Sequence, residues 1–254
     1  MVEIPPEVQR RLMGLIPVER IRAVQIARSD PALLARYRAL EEPTPLLSDV
    51  LDGLGISGTI AASVLRPVCP GQTMVGPAVT LRYAPDSTTP ARGHADGLRP
   101  KLADRDAYAV AEPGDVAVFD AGGREVSCMG GLSTTVAHAR GLAGALVWGG
   151  VRDVGTMRRL SYPVWAAHVT PRTGKFRLEA VELNGPVDCA GVQVRPGDLV
   201  VADDTGVVIV PSERLAEVID LAEAAAQREA QVVALLSQGA GLDQLRQALP
   251  PERW

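Results

Sequence analysis

Apolar residues recur every three or four positions along the first part of the chain, and this spacing predicts helices. The stretches PPEVQRRLMGLI, PVERIRAVQIARSD and SDPALLARYRALEE show it, and Asp30 directly before Pro31 is typical of a helix start. We therefore expect a helical N-terminal extension over residues 1–43. The remainder, residues 44–254, has a different pattern and is expected to form one α/β domain with a C-terminal helix.

From residue 44 onward, short helical patterns alternate with short apolar strands, which is typical of an α/β fold. TPLLSDVLDGLG predicts a helix ending at Gly55, and TMVGPAVTLRYA predicts a strand broken at Gly76 and Pro77. VAVFD and ALVWGG predict buried strands on either side of a small-residue helix, STTVAHARGL, that ends at Gly141. PGDLVVADDTGVVIVP predicts a hairpin, and a long amphipathic helix follows from about Ser212. The expected buried face of that helix consists of Leu215, Val218, Ile219, Leu221 and Ala222.

Composition narrows the class of protein. With 22% charged and 46% hydrophobic residues, the 254-residue chain has the balance of a globular protein rather than a disordered one. A formal charge of −4 argues against a nucleic-acid partner bound through a general basic surface. The sequence contains no run of 18 apolar residues, so we expect no membrane partner and a cytoplasmic location.

The three cysteines predict neither disulfides nor a zinc site. Cys69, Cys128 and Cys189 are odd in number, far apart and without CxxC spacing, so they are interpreted as small hydrophobic residues in a reducing compartment. Cys128 lies beside a Gly-rich loop, but a nucleophilic role would need a neighbouring base, which the sequence does not show.

The candidate chemistry lies in a strand, loop, helix, strand series that ends in Arg-Asp. The Gly-rich loop over residues 122–133 enters a helix near Ser133, and the next strand delivers Arg152 and Asp153 from its carboxyl end. A guanidinium can take a carboxylate in two hydrogen bonds, and an adjacent carboxylate can hold a hard divalent cation. The pair would suit a 2-keto acid with a metal near its carbonyl; the alternative is a surface turn with a local ion pair.

Other polar residues also have a functional and an ordinary interpretation. The polar segment over residues 84–111 could be a substrate lid, a subunit contact or a solvated connection. Its basic members, which would suit an anionic substrate, are Arg92, His94, Arg99 and Lys101. His138 is expected to be an ordinary helical residue, His168 a residue near the cleft, and Lys175 a surface or interface charge or an anion contact. Asp203 and Asp204 are expected to serve the hairpin turn.

These motifs together resemble the RraA-like family. That family includes class II 4-hydroxy-4-methyl-2-oxoglutarate/4-carboxy-4-hydroxy-2-oxoadipate aldolases and the protein inhibitor of ribonuclease E. The resemblance covers about residues 44–229, and its most specific parts are GGVRD, the following PVW strand and PGDLVVADDTGVVIVP. It implies a central α/β/β/α sandwich, the swivelling fold of phosphohistidine-type domains. It also implies homotrimers or homohexamers with an active site between subunits.

The resemblance also implies roles for particular residues. Arg152 matches the residue that binds the substrate carboxylate, and Asp153 matches the residue that holds Mg²⁺ or Mn²⁺. The loop that cradles the pyruvyl group corresponds to Gly130, Gly131, Leu132 and Ser133. The implied function is retro-aldol cleavage or decarboxylation of a small anionic 2-keto acid, such as 4-hydroxy-4-methyl-2-oxoglutarate or oxaloacetate, with release of pyruvate.

One position departs from the aldolase pattern. The aldolases carry an acidic residue 21 positions before the arginine, where this chain has Gly131. Glu125, next to Arg124 in the same loop, could take its place if the loop folds back. Two alternatives therefore accompany the lyase: a non-catalytic regulator resembling the ribonuclease E inhibitor, and a dehydratase or hydrolase on the same scaffold. Asp153 favours an enzyme, because the inhibitor lacks the acidic member of the pair.

Overall fold

The computed structural model describes residues 4–248 and confirms the α/β fold. A ten-stranded sheet runs in the order β1-β12-β11-β3-β4-β6-β7-β2, with β5 paired to β6 and β8 paired to β3, and β9 and β10 form a separate hairpin. The strands are β1 Thr59–Ala61, β2 Arg66–Pro67, β3 Met74–Pro85, β4 Val116–Asp120, β5 Ser127–Met129, β6 Gly144–Val151, β7 Val164–Val169, β8 Leu178–Leu183, β9 Val187–Cys189, β10 Val192–Val194, β11 Leu199–Asp203 and β12 Gly206–Val210.

The centre of the sheet is parallel: β3 pairs with β4, β4 with β6, and β6 with β7 in that sense. Burial on both faces explains why β4 and β6 are almost continuously apolar, since a strand covered on both sides has no polar face. One core contains Phe119 and Val147, and a second, on the other face, contains Val118, Leu146 and Trp165. The parallel arrangement brings the carboxyl ends of β4, β6 and β7 to one edge.

The predicted break at Gly76 and Pro77 is wrong, because β3 continues through both residues for twelve residues. The strand changes partners there: Met74 to Pro77 pair with β11, and Ala78 to Arg82 pair with β4. Glycine is needed for this passage, since a Cβ at position 76 would lie 2.2 Å from the Gly114 carbonyl oxygen.

The helices are α1 Pro6–Gln9, α2 Pro31–Arg38, α3 Pro43–Gly53, α4 Pro90–Ala95, α5 Asp104–Val110, α6 Gly131–Ala139, α7 Val154–Arg159, α8 Leu215–Ser237 and α9 Leu242–Ala248, with single 3-10 turns at Val18–Arg20 and Ser212–Arg214. From residue 30 onward, the predicted helices correspond to α2, α3, α6 and α8, whereas α4, α5, α7 and α9 were not predicted. The Asp30 side chain accepts from the Ala32 N–H and caps α2 as predicted. In α8, Leu215, Val218, Ile219 and Ala222 are buried, but Leu221 is 43% exposed and does not belong to the buried face.

Asp203 does more than form the β11–β12 turn. Its carboxylate accepts from the Thr205 N–H at 2.8 Å, which is the expected turn bond. It also accepts from the N–H and hydroxyl of Thr44, at 3.0 and 2.6 Å. The hairpin therefore fixes the first turn of α3.

The N-terminal region is less helical than its spacing predicts. Residues 17–30 contain only one 3-10 turn, so the helix expected there is wrong, and the helix expected over PPEVQRRLMGLI is only four residues long. Backbone groups that would bond within a helix bond instead to distant residues. The Arg22 N–H donates to the Leu183 carbonyl, and Ile21 forms an isolated parallel β-bridge with Leu183. Residues 1–3 and 249–254 of the two predicted regions lie outside the described residues.

Within residues 4–248, no helix combines the length and the apolar character needed to cross a bilayer.

Candidate active site

Two adjacent strand ends build the site. The short strand β5 runs parallel to the end of β6, with Ser127 opposite Gly150 and Met129 opposite Val151. The Arg152 N–H continues this ladder by donating to the Met129 carbonyl at 3.0 Å. Because β5 leads into α6 and β6 leads into Arg152 and Asp153, the first turn of α6 lies directly beside the Arg-Asp pair.

Asp153 connects the two strand ends. Its backbone is left-handed, with φ 58°, which turns the chain from β6 into α7. One carboxylate oxygen, Oδ2, accepts from the Gly131 N–H at 2.7 Å and lies 3.7 Å from Arg152 Nε. The carboxylate thus satisfies one of the free N–H groups at the start of α6, and half of its side-chain surface remains exposed for another ligand.

Gly130 and Gly131 allow this close approach. A Cβ at Gly130 would lie 2.9 Å from Asp153 Oδ2 and 3.0 Å from Arg152 Nε. At Gly131 it would lie 3.1 Å from Thr156 Oγ1 and 3.2 Å from the Asp153 Cβ. A side chain at either position would therefore push against the Arg-Asp pair, which explains in physical terms why the loop carries glycine here.

The pair faces a cavity of about 430 Å³. All six residues that the sequence predicted for the site line it: Gly130, Gly131, Leu132, Ser133, Arg152 and Asp153. The other lining residues are Met13, Leu15, Arg99, Pro100, Leu102, Asp104, Arg105, Ser127, Cys128, Met129, Thr173 and Lys175. A volume of this size accommodates a small organic acid.

The N-terminal segment supplies one wall of the cavity, which the sequence did not predict. Asp106, which is fully buried, accepts from the backbone N–H groups of Met13, Leu15 and Ile16 at 2.5, 2.6 and 3.0 Å. These three bonds hold Met13 and Leu15 against the cavity. The pairing joins residues about 90 positions apart, and an Asp inside a polar segment carries no local signal for it.

The cavity has more positive than negative groups. Arg99, Arg105, Arg152 and Lys175 line it, against the carboxylates of Asp104 and Asp153. Arg99 donates to the Met13 carbonyl, whereas the Arg105 Nε is buried without a hydrogen-bond partner within the described structure. The excess of cations would attract an anionic ligand.

Arg92, His94 and Lys101 of the polar segment do not line the cavity. Arg92 pairs with Asp96 at 3.2 Å, and Lys101 donates to Asp86 and Glu179 at 3.2 and 2.7 Å. The His94 ring packs edge-on against Phe176, with ring centroids 5.2 Å apart. Only Arg99 of the four predicted basic groups therefore reaches the cavity.

Neither of the two other predicted histidines reaches the cavity. His168 Nε2 lies 3.0 Å from the Gly123 carbonyl oxygen and holds the loop after β4. His138 is exposed on α6, and its ring centroid is 6.4 Å from that of Tyr162. Glu125 is likewise exposed and absent from the lining, so it does not occupy the place of the acid missing at Gly131.

Cys128 does line the cavity, but its environment opposes a nucleophilic role. Burial raises the pKa of the Cys128 thiol to about 12, so the thiol stays protonated at neutral pH. Its partner is a weak one, the Val126 carbonyl oxygen at 3.8 Å. Cys189 is also buried and Cys69 half-buried, and all three are free thiols, as the sequence predicted.

Asp104 is the one buried carboxylate in the cavity lining. It begins α5, is 6% exposed and forms no ion pair within the described residues. Burial raises the pKa of Asp104, although the Ser133 side chain and the charge of Arg105 act in the opposite direction. The Ser133 hydroxyl lies 2.9 Å from that of Tyr108, and the two form a buried hydrogen bond that also involves a residue of the cavity lining.

The residues at the Arg-Asp pair fit a magnesium-type cation better than a zinc-type one. Within the described residues, no three His, Cys, Asp or Glu side chains gather as a metal-binding cluster. Asp153 alone, with its half-exposed carboxylate, could hold a metal here. Mg²⁺ is commonly bound by one or two carboxylates with water and substrate oxygens, whereas structural zinc needs four protein ligands.

Comparison with known proteins gives a consistent family. The sequence model of the RraA-like family, described as Aldolase/RraA, matches residues 44–209. Protein DlpA of Legionella pneumophila is 30% identical over 201 residues, which are 79% of this chain but only 31% of DlpA. A Halalkalibacterium halodurans protein named "Putative 4-hydroxy-4-methyl-2-oxoglutarate aldolase" is 30% identical over 199 residues, 78% of this chain and 85% of that one.

A solved structure shares the fold. Streptomyces coelicolor RraAS2, described as an unusual member of the RNase ES inhibitor RraA protein family, superimposes with a TM-score of 0.68. It is 29% identical, and the match covers 81% of this chain and 97% of RraAS2.

Proposed function

The chain belongs to the RraA-like family, and from this premise we propose that it is a divalent-metal-dependent carbon–carbon lyase acting on a small anionic 2-keto acid. The substrate class includes 4-hydroxy-4-methyl-2-oxoglutarate and oxaloacetate, and pyruvate is the product. The observation that carries the proposal is the adjacency of Arg152, Asp153 and the first turn of α6 in one cation-rich cavity. The aldolase names of relatives about 30% identical support the same reaction class.

In this proposal each residue has a distinct task. Arg152 takes the carboxylate next to the keto group in two parallel hydrogen bonds. The backbone of Gly130, Gly131, Leu132 and Ser133 cradles the pyruvyl part, because glycine lets the ligand approach the chain closely. Asp153 holds Mg²⁺ or Mn²⁺, which, when bound, polarises the keto carbonyl and stabilises the negative charge of the enolate.

The remaining cations favour a substrate with two carboxylates. Arg99, Arg105 and Lys175 also line the cavity, and their three positive charges exceed the single negative charge of the one buried carboxylate in the lining, Asp104. A second carboxylate on the substrate would balance this charge. Both 4-hydroxy-4-methyl-2-oxoglutarate and oxaloacetate carry one.

The proposal extends to the arrangement of the chain. Residues 44–254 would form the catalytic domain, and residues 1–43 an extension that completes the cavity wall through Met13 and Leu15. We also propose a homotrimer or homohexamer. Its support is the exposure of Leu132, which is 66% exposed next to the Arg-Asp pair, as expected for a residue that meets another subunit. Light scattering during gel filtration measures the subunit number.

The test is pyruvate release from 4-hydroxy-4-methyl-2-oxoglutarate and from oxaloacetate, followed by coupled reduction to lactate. Each substrate is assayed with Mg²⁺, with Mn²⁺ and with a chelator. We expect release that needs the metal and that falls sharply in Arg152→Ala and Asp153→Ala. A failure to release pyruvate from either substrate would refute the lyase function, and full activity of either variant would refute the site assignment.

A second candidate function is a protein-binding regulator, which the similarity to RraAS2 favours. Such a protein would use the surface around the cavity without turnover. Co-purification with ribonuclease E, together with silence in the pyruvate assay, would support the regulator. Turnover without binding to ribonuclease E would support the enzyme.

A further inference from the structure

Cleavage of a 4-hydroxy-2-keto acid requires a group that moves one proton. The proton leaves the C4 hydroxyl as the bond between C3 and C4 breaks, which gives a free carbonyl compound and the enolate of pyruvate. A proton must then reach C3 to give pyruvate. The hydroxyl oxygen and C3 are both bonded to C4, so one well-placed carboxylate could accept the proton from the first and deliver it to the second.

The described residues offer two carboxylates in the cavity, and only one of them is available for this step. Asp153 Oδ2 already accepts from the Gly131 N–H and lies near Arg152. Asp104 lines the cavity from the start of α5 and forms no ion pair within the described residues. Asp106, two positions later, does not line the cavity, and its oxygens accept from three backbone N–H groups.

We propose that Asp104 is the catalytic residue that takes the hydroxyl proton during carbon–carbon cleavage and returns it to C3 of the enolate. Asp104 lines the cavity together with Ser133, a residue of the first turn of α6, where the pyruvyl part would bind in the proposed function. The Tyr108 hydroxyl lies 2.9 Å from that of Ser133 and holds it by a buried hydrogen bond.

The surroundings of Asp104 suit proton transfer. The side chain is almost completely buried, and burial raises its pKa, which makes the carboxylate a stronger base than an exposed one. Lys175 is exposed and the Cys128 thiol has a pKa of about 12, so neither competes for this role. The assignment rests on the proposed lyase function and adds the identity of its proton carrier.

Decarboxylation provides a test that separates this role from a structural one. When oxaloacetate loses CO₂, the bond electrons pass into the enolate without removal of a hydroxyl proton, so no base is needed for bond cleavage. The experiment measures cleavage of 4-hydroxy-4-methyl-2-oxoglutarate and, in a single turnover with enzyme in excess, CO₂ release from oxaloacetate in Asp104→Asn, because the first turnover releases CO₂ before C3 is protonated. We expect the first rate to fall about 100-fold or more and the second to stay within about threefold.

The control variant is Asp198→Asn. Asp198 lies in the turn before β11, outside the cavity lining, and burial raises the pKa of its carboxyl group as well. Both rates should match the wild type there. Thermal unfolding of Asp104→Asn shows whether the variant is folded, and exchange of the pyruvate methyl hydrogens for deuterium should slow in parallel with cleavage.

Equal losses of cleavage and decarboxylation in a folded Asp104→Asn protein would overturn the proposal, as would cleavage at the wild-type rate. If the wild-type protein releases pyruvate from neither substrate, the lyase function itself fails, and the role of Asp104 fails with it. If the wild type cleaves 4-hydroxy-4-methyl-2-oxoglutarate and Asp104→Asn cleaves it equally well, only the role of Asp104 is refuted.

Discussion

Asp106→Asn should loosen the N-terminal wall of the cavity while leaving the side chain's shape almost unchanged. The wild-type carboxylate uses Oδ1 for the Met13 N–H and Oδ2 for the N–H groups of Leu15 and Ile16. An amide keeps one oxygen and replaces the other with a donor. Its best orientation retains the Leu15 and Ile16 bonds and turns an NH₂ group toward the Met13 N–H.

The size of the effect follows from these three bonds. Losing the Met13 bond leaves a part-buried donor without a partner, at about 1–3 kcal/mol. The other two bonds change from charge-assisted to neutral, which weakens each by about 1 kcal/mol. Removing a fully buried charge returns part of this cost, so we expect a net destabilisation of about 2–4 kcal/mol.

Hydrogen exchange measures this effect where it arises. Protection of the Leu15 and Ile16 amides should fall roughly 30- to 700-fold, which is the same 2–4 kcal/mol expressed as an opening constant. The matched control is Asp104→Asn, since the Asp104 carboxylate accepts none of the N–H groups of residues 13–16. If protection of the Leu15 and Ile16 amides in Asp106→Asn stays within twofold of the wild type, the Asp106 carboxylate does not hold the N-terminal segment in the way proposed.

Three further predictions concern the site itself. Arg152→Lys keeps the charge but loses the planar two-bond fork, so KM for the keto acid should rise roughly 10- to 100-fold in steady-state kinetics, and an unchanged KM would contradict the carboxylate role. Asp153→Asn can still accept from Gly131 N–H but loses the charge that holds the cation, so the Mg²⁺ concentration for half-maximal rate should rise at least about tenfold in a metal titration. Burial raises the pKa of Asp104 in the folded protein above its unfolded-state pKa near 3.8. The contribution of this side chain to stability is therefore present below the unfolded-state pKa and is lost as pH rises through the higher folded-state pKa. Asp104→Asn should therefore unfold at higher urea concentration than the wild type at pH 8, with a difference that shrinks toward pH 3; a variant less stable than the wild type at pH 8 would contradict the burial argument.

The elements that position the Arg-Asp pair could be predicted because their signals are local. β6 is a continuous apolar run, α6 has small residues and ends before a glycine with φ 74°, and the pair follows β6 directly. The parallel packing of such units then places strand ends together, as the general rule for α/β sheets requires. The predicted loop and pair consequently line one cavity.

The N-terminal wall could not be predicted, because its conformation depends on distant partners. The spacing over residues 17–30 is helical, yet Arg22 and Ile21 bond to Leu183 across the fold. The burial of Asp104 and Asp106 could not be predicted either, because both lie in a polar segment whose composition is typical of a solvated connection. Their burial arises only when α5 packs beneath the N-terminal segment and beside α6.

Calorimetric titration with oxalate tests whether this cavity binds a keto acid through Arg152 and a divalent cation at Asp153. Oxalate is a planar dianion that imitates the enolate of pyruvate, and it binds without turnover. We predict that Mg²⁺ tightens oxalate binding at least about tenfold in the wild type, and that this gain disappears in Asp153→Asn. Oxalate binding that is equally tight with a chelator present, or a gain in affinity from Mg²⁺ that persists in full in Asp153→Asn, would contradict metal binding at Asp153.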